Sequence, residues 1–223
     1  EFRRVLFRSV YDRSALAMNF AGGERWQGEA PGILVLSHVI NELKELPAVI
    51  HQAEAVIWVE PGTFADSRAL IAAREKLRDR FHVVAPCTHE GPCPIFAPGR
   101  ERDWCHFFAP PPSAIFADSG WVKFGQRAGI DLRSLPYSFV ALDRRPPAEH
   151  RTGLSRVIGR VEHFKPYARW LNCDADGLAG LELPKKADPS LYKELERTRE
   201  PLVYRWRREG DRVTTGEPGA TPA

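Results

Sequence analysis

AVIWVEPGTFADSRALIAAREKLRDRFHVVA, residues 55–85, holds a strand, a sharp loop, a helix and a second strand in unbroken succession. Ala55–Val59 is a continuous apolar run, the pattern of a strand buried on both faces. Glu60-Pro61-Gly62-Thr63 breaks it with turn residues. Ser67–Arg80 then sets Leu70, Ala73 and Leu77 on one face, with Ile71 beside them, and leaves Arg68, Arg74, Glu75 and Arg78 on the rest. That spacing predicts an amphipathic helix. Phe81–Ala85 is the next strand.

Working outward, Ile33–Leu36 reads as another buried strand. His38–Leu46 carries apolar residues at 39, 40, 43 and 46, a helical period stopped by Pro47. Further back, Ser14–Ala21 reads as a short helix with Ser14 as its cap, ended by Gly22 and Gly23. Downstream, Tyr137–Asp143 is a strand that closes the sheet. Strands and helices alternating at this length predict an open, mostly parallel α/β sheet. Ligands of such sheets sit beyond the carboxyl ends of the strands. One edge therefore gathers Asp12, the turn from Ser37 through His38 to Asn41, and Glu60.

Regular structure stops at Pro86–Pro112, 27 residues with seven prolines, two glycines and three of the four cysteines. A loop of that length inside a compact domain is functional or held by something other than a core. Ser113–Ala128 is expected to be helical in part, and Arg145-Pro146-Pro147 reads as a linker. Beyond it the hydrophobic period changes to two. Arg156–Glu162, Tyr167–Cys173 and Leu178–Leu183 read as strands, the last two joined by the turn Asp174–Gly177. Asp188–Arg197 is a short helix and Leu202–Trp206 a last strand. The organisation predicted is an α/β domain over 10–147, a small β-rich module over 148–213, and a disordered tail over 214–223. Residues 1–9, EFRRVLFRS, show neither cap nor turn chemistry and read as a cloning or assembly scar on a truncated gene.

Apolar content of 43% and charged content of 27% suit a globular domain with a sizeable core. No apolar run approaches the roughly 18 residues of a membrane span, and no secretory signal is visible. The net charge of +3 is unevenly spread: residues 1–150 balance 18 basic against 18 acidic residues, whereas 151–213 carry 14 against 10. A basic module on a neutral body points to a polyanionic partner. Arg160, Lys165, Arg169 and Lys185 lie there among Phe164, Tyr167 and Trp170, a mix that suits phosphate contact with base stacking. The competing reading puts those aromatic residues in the core.

The cysteine spacing is Cys87-x5-Cys93-x11-Cys105-x67-Cys173. Four thiolates complement either a 4Fe–4S cluster or a structural zinc ion. Pro86 and Pro94 beside the first two restrict the backbone and lower the entropic cost of gathering ligands. Structural zinc favours paired C-x2–4-C knuckles, which are missing, so the irregular gaps suit a cluster better. His89 and His106 compete as ligands, against plainer roles in hydrogen bonding or solvent. Four unrelated thiols or two disulfides are the remaining readings.

The words of this loop, Val83–Phe107 (VVAPCTHEGPCP…DWCHF), resemble the mitochondrial ribosomal small-subunit protein 22 family of methyltransferase-like assembly factors and their bacterial relatives. So do Leu36–Leu43 (LSHVINEL), Val59–Thr63 (VEPGT), Tyr137–Val140 (YSFV), Arg156–Arg160 (RVIGR), Leu171–Cys173 (LNC) and Asp188–Tyr192 (DPSLY). The likeness covers about residues 10–210. It implies a class I methyltransferase (Rossmann-like) sheet lacking its first strand, a 4Fe–4S cluster on Cys87, Cys93, Cys105 and Cys173, and association with the small ribosomal subunit. It also implies a site for S-adenosylmethionine, with Asp12 toward the ribose hydroxyls, Ser37, His38 and Asn41 lining the pocket and Glu60 on the same edge. The glycine turn that cradles such a donor is absent, and no catalytic base stands out.

Three functions follow as expectations. The first is a small-subunit assembly or translation factor that binds ribosomal RNA, monomeric off the ribosome and away from membranes. The second is an active S-adenosylmethionine-dependent RNA methyltransferase, and the third a zinc-stabilised binding module. The bacterial cytoplasm is the compartment expected, with the mitochondrial matrix as the alternative.

Overall fold

The computed structural model describes residues 30, 32–147, 151–198 and 202–219. The opening 1–9, Asp12 and the helix expected over Ser14–Ala21 lie outside the described residues. The described residues from Gly32 onward form one compact unit, built from a sheet and a barrel.

The sheet contains β1 (Ile33–Ser37), β2 (Ala55–Pro61), β3 (His82–Ala85), β4 (Phe107–Phe108) and β5 (Pro136–Asp143). Its order is β1-β2-β5-β3, with β4 added to β5. β1 and β2 are parallel, in register from Ile33 opposite Ala55 to Ser37 opposite Val59. β5 runs antiparallel to both β2 and β3, so the sheet is mixed rather than mostly parallel as the sequence suggested. The long excursion after β3 explains the reversal. It leaves the carboxyl edge of the sheet and returns to that same edge, where Gly62 N–H donates to Pro136 O at 2.9 Å. A Cβ on Gly62 would lie 2.7 Å from the backbone at Pro136, so only glycine lets β2 leave beside the start of β5.

Helix α1 (Phe64–Leu77) follows β2 and is capped by Thr63, whose hydroxyl accepts from Asp66 N–H at 3.2 Å. Its apolar face closes the first core, where Leu70 and Leu77 pack with Ile50, Val56, Trp58, Val83 and Leu142. The helix expected over His38–Leu46 is only a single 3-10 turn, Ile40–Glu42. The reason is Glu60, which is 1% exposed. Its Oε1 accepts from Val39 N–H and Ile40 N–H at 3.0 Å and from Trp58 Nε1 at 2.6 Å, pinning the segment to the end of β2.

After the cysteine loop come α2 (Ala114–Ala117) and α3 (Ser119–Ala128), the latter closed by Gly129 in the left-handed region at φ 66°. The barrel then takes β6 (Ser155–Phe164), β7 (Tyr167–Asp174), β8 (Gly177–Pro184), α4 (Pro189–Arg197), β9 (Val203–Glu209) and β10 (Arg212–Pro218). It closes in the order β10-β8-β7-β6-β9. Neighbouring strands are antiparallel except β10 and β8, which are parallel. The last strand runs to Pro218, so residues 214–218, expected in a disordered tail, belong to the barrel. The barrel core gathers Val157, Ala168, Trp170, Leu181, Leu183 and Val213, with Leu191 and Leu195 from α4.

Candidate metal centre

The cysteine loop starts where β3 ends and runs across α1 toward the barrel. The helix face read as polar organises it. Arg68 Nη1 donates to the carbonyls of Ile95 (3.3 Å), Arg100 (3.2 Å) and Asp103 (3.0 Å). Arg74 Nη2 donates to Gly91 O at 3.0 Å, and Arg78 Nε to Glu90 O at 3.1 Å. The carbonyl of Cys105 accepts from the hydroxyls of Ser67 and Ser138, both at 2.5 Å. A loop with little secondary structure beyond the 3-10 turn Pro94–Phe96 and β4 thus meets part of its backbone demand from side chains of α1 and β5. Arg74, placed on the polar face by its spacing, is 2% exposed because the loop covers it.

Three groups of residues meet beneath the loop. Ile71 of α1, Cys93 and Ile95 of the loop, and Ile158 and Cys173 of the barrel form one buried cluster, with Cys105 packed against it. Cys87 packs against the sheet core. All four thiols are free of disulfides. Burial first, and then Cys87, pushes the Cys93 thiol up to about 11. Burial raises Cys105 and Cys173 further, with repulsion from the other cysteines adding to it. The four sulfurs are therefore close enough to feel one another's charge. His89 Nε2 lies 3.9 Å from Cys173 Sγ, and burial lowers the His89 pKa. Among the described residues, no three or more His, Cys, Asp or Glu side chains stand ready around a single ion.

The surroundings of the thiols are cationic. Arg156 is 6% exposed; its Nε donates to Pro86 O at 2.9 Å and its guanidinium lies 5.9 Å over the Phe107 ring. Burial lowers its pKa, against the pull of Cys105, Cys87, Tyr137 and Cys173. At Arg74 burial also opposes the charge, yet Cys87, Glu75 and Cys93 carry the pKa above the ordinary guanidinium value. Arg74 is ion-paired with Glu75, while its Nε, like the buried Thr88 Oγ1, has no hydrogen-bond partner among the described residues. Arg74 has a carboxylate partner in Glu75, whereas Arg156 has none among the described residues, so beside neutral thiols the buried Arg156 would be costly. Beside thiolates, which are what metals bind, Arg156 is compensated. The donor set fits a thiolate-bound metal.

The loop and the barrel are also joined directly. Arg151 Nη1 donates to Val83 O (2.6 Å) and Cys87 O (3.2 Å), and Arg100 Nη2 to Leu178 O (2.5 Å). Gly159 N–H donates to His106 O at 2.8 Å. Gly159 has φ +70° and a Cβ there would stand 3.1 Å from His106 Nε2. His106 thus faces the barrel, stacked on Trp104 at 4.8 Å, in one of the plainer roles weighed for it.

The remaining expected residues divide. Ser37, His38, Asn41 and Glu60 do come together at the carboxyl edge of β1 and β2. Glu60 is consumed by its three N–H donors, and Asn41 Nδ2 donates to Asp66 Oδ1 at 2.7 Å. His38 is exposed, with φ 55°. In the barrel, Arg160 lies 3.9 Å over the Phe108 ring and Arg169 5.0 Å over Phe164, and Arg169 is paired with Glu162 at 2.5 Å. Lys185 sits 5.0 Å over Tyr192, and Lys165 is exposed. Phe164 and Tyr167 stack at 4.8 Å on the hairpin. Trp170, expected among the stacking residues, is 3% exposed in the barrel core. Sequence reasoning missed the exposed arginines of β9 and β10, Arg205, Arg207, Arg208 and Arg212. Their alternation with Tyr204 and Trp206 was the available signal.

Fold and site together define a mixed α/β protein with a C-terminal β-barrel and a four-cysteine junction between them. The chain belongs to the mitochondrial small ribosomal subunit Rsm22 family, whose model matches residues 7–199. No curated protein matches the chain significantly.

Proposed function

We propose that this chain acts in assembly or translation of the small ribosomal subunit by binding ribosomal RNA. Its sheet and basic barrel are clasped by a 4Fe–4S cluster held on Cys87, Cys93, Cys105 and Cys173. The observation that carries the cluster is the buried Arg156 guanidinium, without a carboxylate partner among the described residues, beside thiols drawn from both halves. Bound there, the group would supply strong iron–thiolate bonds across the junction. Arg156 and Arg74 balance the thiolate charge, and Arg151 and Gly159 fix the approach of the barrel to the loop. Arg160, Lys165, Arg169 and Lys185 supply basic groups for RNA. Membership of the family ties the chain to the small subunit. Its description speaks for an organellar ribosome over a bacterial cytoplasm. No helix among the described residues is long and apolar enough to cross a membrane.

Anaerobic purification is the test. The protein is expected to be brown, with a broad visible absorption and iron and sulfide in equal amounts, and to pellet with small subunits. Cys173→Ser is expected to lose both. A colourless, zinc-bearing protein would restore the zinc reading, and a Cys173→Ser chain that kept its iron and its pelleting would overturn the clasp.

One observation favours a second reading, an S-adenosylmethionine-dependent RNA methyltransferase. β1, β2 and β3 share one direction and β5 is inserted antiparallel between β2 and β3, which is the arrangement along one half of a class I methyltransferase sheet. Ser37, His38 and Asn41 border the edge where the donor would lie. Calorimetric titration with S-adenosylmethionine decides it, and absence of heat leaves the scaffold role alone.

A further inference from the structure

The barrel's connectivity has a consequence for the class of RNA it takes. β6, β7 and β8 form a meander, α4 lies between the third and fourth strands, β10 pairs parallel with β8, and β9 closes onto β6. This is the strand order of the OB fold, in which the face of the second and third strands accepts oligonucleotides. Here those strands are β7 and β8. A groove of about 540 Å3 runs over their outer face, floored by Arg169, Leu171 and Gly180. Its wall comes from the cysteine loop. Trp104, His106 and Phe108 alternate along an extended segment whose other residues, Cys105 and Phe107, turn to the buried side. The three form a stair: Trp104 stacked on His106 at 4.8 Å, His106 edge-on to Phe108 at 5.5 Å, and Arg160 3.9 Å over Phe108. Beyond Arg160 a second groove of about 570 Å3 shares Phe108, Gly159 and Arg160 with the first.

We infer that this groove binds unpaired RNA, with bases stacked along the Trp104–His106–Phe108 stair and under Arg160, and phosphates along the β9–β10 hairpin. The inference rests on the RNA-binding reading above and adds to it the site and the strandedness. Stacking on aromatic and guanidinium planes reaches only bases that have left a helix, and is tolerant of sequence. Charge supports the occupant. Glu162 is neutralised by Arg169 and Asp103 by Arg100, whereas Arg160 bonds only the neutral Ser134 hydroxyl, at 2.6 Å, among the described residues. β10 lies beside the floor strand β8, with Arg212 opposite Glu182, and brings the exposed Arg205 and Arg207 with its partner β9. Gly180 leaves open space, with nothing within 4 Å of an added Cβ.

That space supplies the test. Gly180→Leu fills the groove on a backbone that any residue adopts, and Arg205→Glu with Arg207→Glu reverses charge on the hairpin. Fluorescence anisotropy on the full chain would compare a labelled ten-nucleotide single-stranded RNA with its duplex. The parent is expected to prefer the single strand. Gly180→Leu should weaken single-strand binding at least tenfold with an unchanged thermal midpoint, and the charge reversal should weaken it and flatten its salt dependence. Undiminished binding by Gly180→Leu, or a preference for the duplex, overturns the groove while leaving the RNA reading standing. A parent chain that binds neither RNA overturns both.

Discussion

Arg156 shows what one residue can report about the centre. Its guanidinium is buried between a carbonyl of the cysteine loop and the Phe107 ring, and the charges it faces are those of Cys105, Cys87 and Cys173. If the thiols carried protons, replacing Arg156 by a similar apolar side chain would be neutral or stabilising. If they are thiolates on a metal, the same change removes their counter-charge. Arg156→Met is therefore expected to lower the iron retained per chain after anaerobic gel filtration. The metal-free protein should keep its midpoint within a few degrees, since about 1 kcal/mol moves a domain of this size by 2–4 °C. Unchanged iron content would show that Arg156 serves packing alone. Such a role was not legible in the sequence, because nothing local distinguishes Arg156 from Arg160, four positions further on, which lies on the solvent side past the register shift after Ile158. Glu60 failed in the opposite direction. Its place at the end of a strand was read correctly, but its carboxylate is taken by Val39, Ile40 and Trp58, donors that lie up to 21 residues from it in sequence.

Among the elements, α4 offers the cleanest prediction. Asp188 caps it, Oδ1 accepting from Leu191 N–H at 2.9 Å and Ser190 N–H at 3.2 Å, while Oδ2 accepts from the Thr215 hydroxyl on β10 at 2.7 Å. The Leu191 amide, then the Ser190 and Thr215 hydroxyls, hold the carboxyl down at about 2. A depressed carboxyl contributes stability that is present above its unfolded pKa of about 3.9 and is lost as pH falls through about 2. Asp188→Ala should cost about 1 kcal/mol, visible by thermal melting near neutral pH and vanishing below about pH 2. A loss of the same size at both ends of that range would refute the cap. This helix was legible because its apolar period is local, and the structure adds that Asp188, the first residue of the range read, is its cap. The longer strands β1, β2, β3 and β5 were legible for the same reason, whereas the two-residue β4 inside the cysteine loop was not. The direction of β5 was not, because orientation is decided by where the preceding 50 residues leave and return. Residues 214–218 of β10 were misjudged as tail because TTGEP carries no buried apolar residue and owes its place to pairing with β9.

For the molecule as a whole, the cysteines were the most legible feature and the arginines beneath them the least. Loop order alone does not require a metal, since Arg68, Arg74, Arg78, Ser67 and Ser138 already satisfy the loop's carbonyls. What a cluster adds is a covalent tie between the loop and Cys173 on β7, across a shared core of only a few side chains centred on Ile71, Ile95 and Ile158. The sheet and the barrel each have a larger core of their own. With the tie in place the two should unfold together, because neither can leave without breaking iron–thiolate bonds. Without it, the small junction should no longer couple them, and the barrel should melt separately from the sheet. Calorimetry under anaerobic conditions is expected to give one transition for the iron-loaded protein and two after chelation, with Cys173→Ser resembling the chelated form. Ile158→Ala, which weakens the junction by about 2–5 kcal/mol, should leave the loaded protein cooperative, because the tie rather than the junction couples the two halves. A single transition in every case would mean that the arginine and backbone contacts between loop and barrel, not the cysteines, unite the molecule.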